Sequence, residues 1–231
     1  MWRELARVGS TLPAQVRVVV VRAEGPSFSA GLDRRMFTPE GIPGEASLAG
    51  LATLAPDVLD ATIAGYQSAF SWLREAAVVS VAAVQGHAIG AGFQLALACD
   101  LRLLAEDAQL AMRETVLGLV PDLGGTAPLV GCVGYARALE LCVSGRFMSA
   151  AEAVSAGLAL RAVPAGELVQ ATADLVTSLL AAPHAAVTET KALLLAAASA
   201  RPVDQLAAER AAQARRIADL VARASAEGVP G

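Results

Sequence analysis

The stretch that most restricts how this chain can fold is Val78 to Val84, VVSVAAV, together with the glycine-rich segment directly after it. Such a β-branched, uncharged run suits a strand buried on both faces, and Gln85-Gly86 ends it with a turn signal. Gly90, Ala91 and Gly92 then supply residues small enough for close approach of a ligand to the backbone, and Phe93 to Ala98 is apolar and helix-compatible. The result is strand, small-residue turn, helix. At such a helix start the first amides lack intrahelical acceptors and the macrodipole is positive, so a developing oxyanion is stabilised there. A glycine-rich turn of this kind can equally serve close packing alone. A second turn of the same sort, Phe28-Ser29-Ala30-Gly31-Leu32-Asp33, comes after the strand-like run Val16 to Arg22, so two amide donors can converge. Glu114 and Asp122 lie a short way downstream and bring carboxyl groups.

These blocks carry a family resemblance. FSAGLD, QGHAIGAGFQLALACDLRL and ETVLGLVPDLGGT occur in this order, and together they resemble the crotonase superfamily, the enoyl-CoA hydratase/isomerase family. Residues 14 to 165 carry the likeness, and the three blocks jointly are specific where each alone is weak. The resemblance implies an α/β fold with a crotonase-type ββα spiral core over 1–165 and a C-terminal helical trimerisation region over 166–231. It also implies a homotrimer or hexamer.

For the site, it implies that the amides of Ala30 and Ala91 hold the thioester oxygen of an acyl-CoA as it becomes an enolate, with Glu114 and Asp122 as the acid–base groups. Ala30, Gly31, Leu32, Asp33, Gly90, Ala91 and Gln94 are the expected substrate-binding positions. Asp33 is expected to be structural in its side chain and to lie near the pantetheine arm through its backbone. Family hydratases place a glutamate where this chain has Gln94, and an amide cannot relay a proton. Gln94 can still orient water or substrate. Asp122 stands where family isomerases often carry an aspartate, so double-bond isomerisation is favoured over hydration. A hydratase of fatty-acid β-oxidation, a non-catalytic acyl-CoA binder and another thioester reaction of the superfamily stay open. No metal and no separate cofactor is expected, coenzyme A being part of the substrate.

The remaining residues narrow the setting. A chain of 231 residues that is 55% apolar can bury a substantial core. Its net charge of −4 offers no basic footprint for nucleic acid. Cys99, Cys132 and Cys142 have no metal-ligand spacing and read as reduced core thiols, and the start lacks an apolar signal region, so a cytoplasmic protein is expected. The uncharged run Ala76 to Cys99 is long enough to span a bilayer, but three glycines, two glutamines and a histidine fit a buried strand–turn–helix better, and no membrane association is expected.

Elsewhere the pattern predicts a helix over Trp2 to Leu12, a strand over Gln15 to Ala23 and a mobile loop over Pro39 to Ala55. A helix is expected next over Pro56 to Ala76, and strands over Cys99 to Ala105 and Gln109 to Met112. Gly134 to Val143 reads as a helix packing Leu139 and Leu141, Ser149 to Glu152 as a capping box, and Leu158 to Val163 as a strand. Helices are expected over 167–182, 183–199 with Pro183 at the first helical position, and 202–225. His87 reads as a pocket-wall residue and His184 as exposed; Arg34 and Arg35 are candidates for coenzyme A phosphates. Family members usually begin with two or so further strands, so the start reads as truncated or misassigned.

Overall fold

The computed structural model describes residues 1–45 and 47–226. The first half contains helix α1 (Trp2–Ser10), strand β1 (Val18–Val21), helices α2 (Leu48–Leu51) and α3 (Pro56–Ser71), strands β2 (Val79–Val84) and β3 (His87–Ile89), helix α4 (Ala91–Ala98), and strands β4 (Leu101–Ala105) and β5 (Gln109–Ala111). The second half contains helices α5 (Thr126–Val133) and α6 (Tyr135–Ser144), strand β6 (Met148–Ser149), helix α7 (Ala150–Ser155), strand β7 (Arg161–Val163), and helices α8 (Leu168–Ala181), α9 (His184–Ala197) and α10 (Pro202–Ala226).

Four parallel strands form one sheet in the order β1-β2-β4-β7, and three form another in the order β3-β5-β6. Only Gln85 and Gly86 separate β2 from β3, yet the two strands belong to different sheets. Gly86 makes that switch at φ 55°, and a Cβ there would lie 2.3 Å from the Pro26 carbonyl oxygen. The same step recurs from β4 to β5, and from β1 to Ser29, which bridges Ala88 in parallel. Each turn thus places one segment in each sheet and then a helix, which is the ββα spiral implied by the resemblance.

All six residues of β2 are buried, as a strand covered on both faces requires. Ser80 is tolerated there because its hydroxyl donates to the Leu73 carbonyl at 2.6 Å and accepts from the Asp100 amide at 2.9 Å. Arg102 is likewise buried on β4 and donates to the carbonyls of Leu158 (2.6 Å) and Cys99 (2.7 Å), tying the end of α4 to the segment before β7. Buried polar groups persist when every donor has an acceptor.

Several expectations change. His87–Ile89, assigned to no element between Gln85-Gly86 and Gly90, is strand β3, which pairs in parallel with β5. The ladder of β1 covers only Val18–Val21. Helix α3 ends at Ser71, and a 3-10 turn over Trp72–Arg74 leads into β2. Strand β7 begins only at Arg161. On α6, Leu141 is buried but Leu139 is 47% exposed, since residues two apart on a helix face different sides. Pro183 is the residue before the first turn of α9, at φ −58° and ψ 128°, instead of its first helical residue. The run Ala76 to Cys99 is divided among β2, β3 and the eight residues of α4, and no described helix is long and apolar enough to cross a membrane. Within Pro39 to Ala55, Ser47 caps α2 through a bond from the Gly50 amide, while Ala46 lies outside the described residues. Ser149 accepts from the Glu152 amide at 3.2 Å, which is one half of the expected capping box; the Glu152 carboxylate accepts from Arg146 at 2.6 and 2.8 Å instead of reaching back to the Ser149 amide.

By compactness the chain divides into Met1–Val176 and Thr177–Gly231, a boundary inside α8. In the second unit α9 and α10 pack together, with Arg215 and Glu189 paired at 2.6 Å.

Candidate active site

Gly90 ends β3 and caps α4 at φ 53°, its own amide donating to the Ala111 carbonyl at 2.8 Å. Ala91 is then the first helical residue. Alongside runs the segment from Phe28, whose amide donates to Gln85, while Ser29 exchanges bonds of 2.8 and 2.9 Å with His87 and Ile89. Two glycines permit this proximity. A Cβ on Gly31, at φ 89°, would lie 2.8 Å from the Ile89 carbonyl oxygen, and one on Gly92 would lie 2.4 Å from the Ser29 Cβ. Ala30 and Ala91 both line one cavity, and neither amide donates a hydrogen bond within the described residues.

The two carboxyl groups belong to loops that Gln94 joins. Glu114 comes after β5, and its Oε1 accepts from Gln94 Nε2 at 2.7 Å. Its Oε2 is buried without a hydrogen-bond partner among the described residues. The Gln94 oxygen accepts from the Leu123 amide at 2.8 Å and the Gly125 amide at 3.3 Å, and these residues stand directly after Asp122. The Asp122 carbonyl accepts from Gln67 on α3 at 2.7 Å. Burial raises the pKa of both carboxyls; for Glu114 backbone dipoles and the Gln94 bond oppose the rise, and the nearby Asp122 charge adds to it.

The cavity holds about 1000 Å³. Helices α1 to α3 contribute Trp2, Leu51, Leu59, Ile63 and Tyr66 to its wall. Its charged and amide side chains are few, namely Arg34, Gln94, Arg113, Glu114 and Asp122, beside the small residues at 30, 31, 90 and 91. A large apolar pocket with a few converging polar groups is what a small-molecule site needs. Next to two unused amides, a titratable carboxyl with a free buried oxygen can remove a proton from a carbon whose neighbouring carbonyl those amides hold.

Leu32 lines the cavity with Gly31, but Asp33 is not among the lining residues. Its carboxylate accepts from the Arg35 amide and pairs with the Arg35 side chain at 2.7 Å, and these contacts hold its pKa at about 2. Arg34 lines the cavity; Arg35 does not. His87 is exposed instead of forming the wall, with Nδ1 3.4 Å from Ser27 Oγ. Phe147, against which the His87 ring lies edge-on, takes the wall position. His184 is half-buried. Gln67 and Phe147 join the site from distant sequence, and nothing local in the chain marks them.

Residues 3–229 match the sequence model of the family described as Enoyl-CoA hydratase/isomerase. YhaR of Bacillus subtilis (strain 168), named as an enoyl-CoA hydratase/isomerase, is 35% identical over 202 residues, covering 87% of this chain and 74% of YhaR. A second protein of that organism, named as an enoyl-CoA hydratase, is 37% identical over 145 residues, but the match spans only 51% of its length. A crystal structure of a protein from Thermobifida fusca YX, described as an enoyl-CoA hydratase in complex with CoA, superposes with a TM-score of 0.90 at 52% identity, covering 96% of this chain and 84% of that one. The same organism's protein is also known in complex with acetoacetyl-CoA, at a TM-score of 0.90 and 53% identity. With nearly the whole sequence matched and the ββα spiral in place, the chain belongs to the enoyl-CoA hydratase/isomerase family.

Proposed function

We propose that this protein shifts the double bond of enoyl-CoA thioesters through an enolate. The thioester carbonyl accepts from the amides of Ala30 and Ala91, and the enolate oxygen gains most from those two fixed donors. Glu114 takes the proton from Cα, and the C–H electron pair moves onto the thioester oxygen. Return of a proton at the far allylic carbon, with Asp122 on that side, completes an isomerisation in which no atom is gained or lost. The observation that carries this reading is the buried, unpartnered Oε2 of Glu114 in the wall of a cavity that also holds two unused amides. Removing one oxyanion donor of this type typically costs about 10²–10³ in rate, and an acid–base group contributes about 10²–10⁴.

Hydration of a 2-enoyl-CoA is the second reading, favoured by the names of several relatives. It needs a group to activate water as well as a proton source at Cα, and Gln94 supplies no titratable group. A trimer-based assembly accompanies either reading. The reactions separate in one assay, in which a 3-enoyl-CoA and a 2-enoyl-CoA are offered side by side. Isomerisation of the first outpacing hydration of the second supports the proposal, and the reverse order replaces it with hydration.

A further inference from the structure

Gln94 is only 1% exposed, although it stands beside the cavity. Its oxygen already accepts from two backbone amides, those of Leu123 and Gly125. A flipped amide would aim N–H groups at those donors and an oxygen at the Glu114 carboxylate, so the orientation is forced by hydrogen-bond chemistry. Nε2 therefore faces Glu114. As a consequence the two oxygens of Glu114 are inequivalent: Oε1 carries a donor at 2.7 Å, whereas Oε2 is buried with none. Gln94 is the only side chain among the described residues that donates to this carboxyl.

We propose that Gln94 is a positioning residue, whose amide reserves Oε2 of Glu114 for the substrate proton and couples Glu114, through Leu123 and Gly125, to the turn that carries Asp122. The catalytic part of this inference rests on the enolate chemistry proposed above. In the balanced step the Cα–H bond breaks, its electron pair passes to the thioester oxygen and the proton arrives on Oε2. The backbone groups of Glu114 and Arg113 also favour its charged form, but both variants below leave them in place, and no other side chain facing Glu114 replaces the Gln94 donor. Asp122 repels its charge, Cys142 on α6 has its thiol pushed up first by burial and then by Glu114, and Arg113 is turned away to the Gly145 carbonyl at 3.0 Å and the face of Phe147.

A donor held on a carboxylate stabilises its charged form, so losing that donor moves the titration to higher pH. The test tracks the Glu114 carboxyl carbon by NMR through a pH titration, in wild type, Gln94→Met and Gly125→Ala. Gln94→Met should raise the midpoint by about one to two pH units, the size expected for a hydrogen bond to a charged group. Gly125→Ala keeps every polar group but places a Cβ 2.8 Å from Gln94 Cγ, which dislodges the amide and should raise the midpoint in the same direction. That second variant keeps the test alive if Gln94→Met, with two amides left without an acceptor, fails to fold. The acid limb of Cα proton exchange should move up alongside the midpoint. An unmoved midpoint in folded variants, or a rate loss equal at every pH, would overturn the positioning role. A wild type that exchanges no Cα proton would sink the proposed function instead, and the carboxyl titration would still decide whether Gln94 governs Glu114.

Discussion

Ser29 and Gly92 touch so closely that a Cβ on Gly92 would lie 2.4 Å from the Ser29 Cβ and 3.0 Å from the Ser29 carbonyl oxygen. The neighbours of these two residues, Ala30 and Ala91, carry the amides proposed to hold the thioester oxygen. Gly92→Ala therefore has to spread the loop from the helix and misplace one donor against the other. Turnover should fall by about 10²–10³, the usual cost of losing one oxyanion donor, with a smaller effect on acyl-CoA binding. Steady-state kinetics beside a binding titration checks this, and unchanged turnover would mean that the two amides do not act as a pair.

Gln94→Glu places a second carboxyl where the Glu114 Oε1 contact is 2.7 Å. Two carboxyls that close share one proton, which supplies both a base and an acid for addition of water. Hydration of crotonyl-CoA should rise by roughly an order of magnitude or more over a poor wild type. A wild type already fast in that assay, with no gain from the substitution, would remove the preference for isomerisation.

Asp122→Asn separates the two ends of the allylic system. Isomerisation should drop by about 10²-fold or more while Cα proton exchange drops much less, since the aspartate is assigned to the far carbon. Equal losses in both assays would make Asp122 a structural residue of its turn.

The pH dependence of stability has a definite sign at Glu114. Burial holds its folded pKa above the ordinary value of 4.5, so the folded state binds the proton more tightly than the unfolded chain. Its ionisation therefore costs stability increasingly as pH rises from about 4.5 through the folded pKa. Glu114→Gln should be more stable than wild type at pH 7, and the difference should shrink as pH falls through the folded pKa and be largely gone at about 4.5. Urea unfolding at the two pH values measures it, and a variant less stable at pH 7 would contradict the sign.

Much of this site can be read in the sequence because its parts are local. A β-branched run ending in glycines marks β2 and α4, and Gly31 and Gly92 mark the close backbone approach directly. The role of Gln94 cannot be read that way. Its partners, Glu114, Leu123 and Gly125, come from two later loops, and the residue type alone does not reveal whether its amide faces substrate or protein. Strand β3 is hidden because three residues between glycines look like a turn until β5 pairs with them. Leu139 misleads for a different reason: an apolar residue on a helix does not by itself say which face is covered. His87 reads as a wall residue beside a glycine turn, yet strand geometry leaves it exposed and gives the wall to Phe147.

Exchange of the Cα proton of a bound acyl-CoA into heavy water tests the central claim most directly, because it needs an enolate and a base and no later step. Wild type should exchange that proton, whereas Glu114→Gln should bind the same thioester with little change in affinity and lose exchange by about 10²–10⁴. Full exchange in Glu114→Gln, or none in a wild type that binds the thioester, would contradict the account.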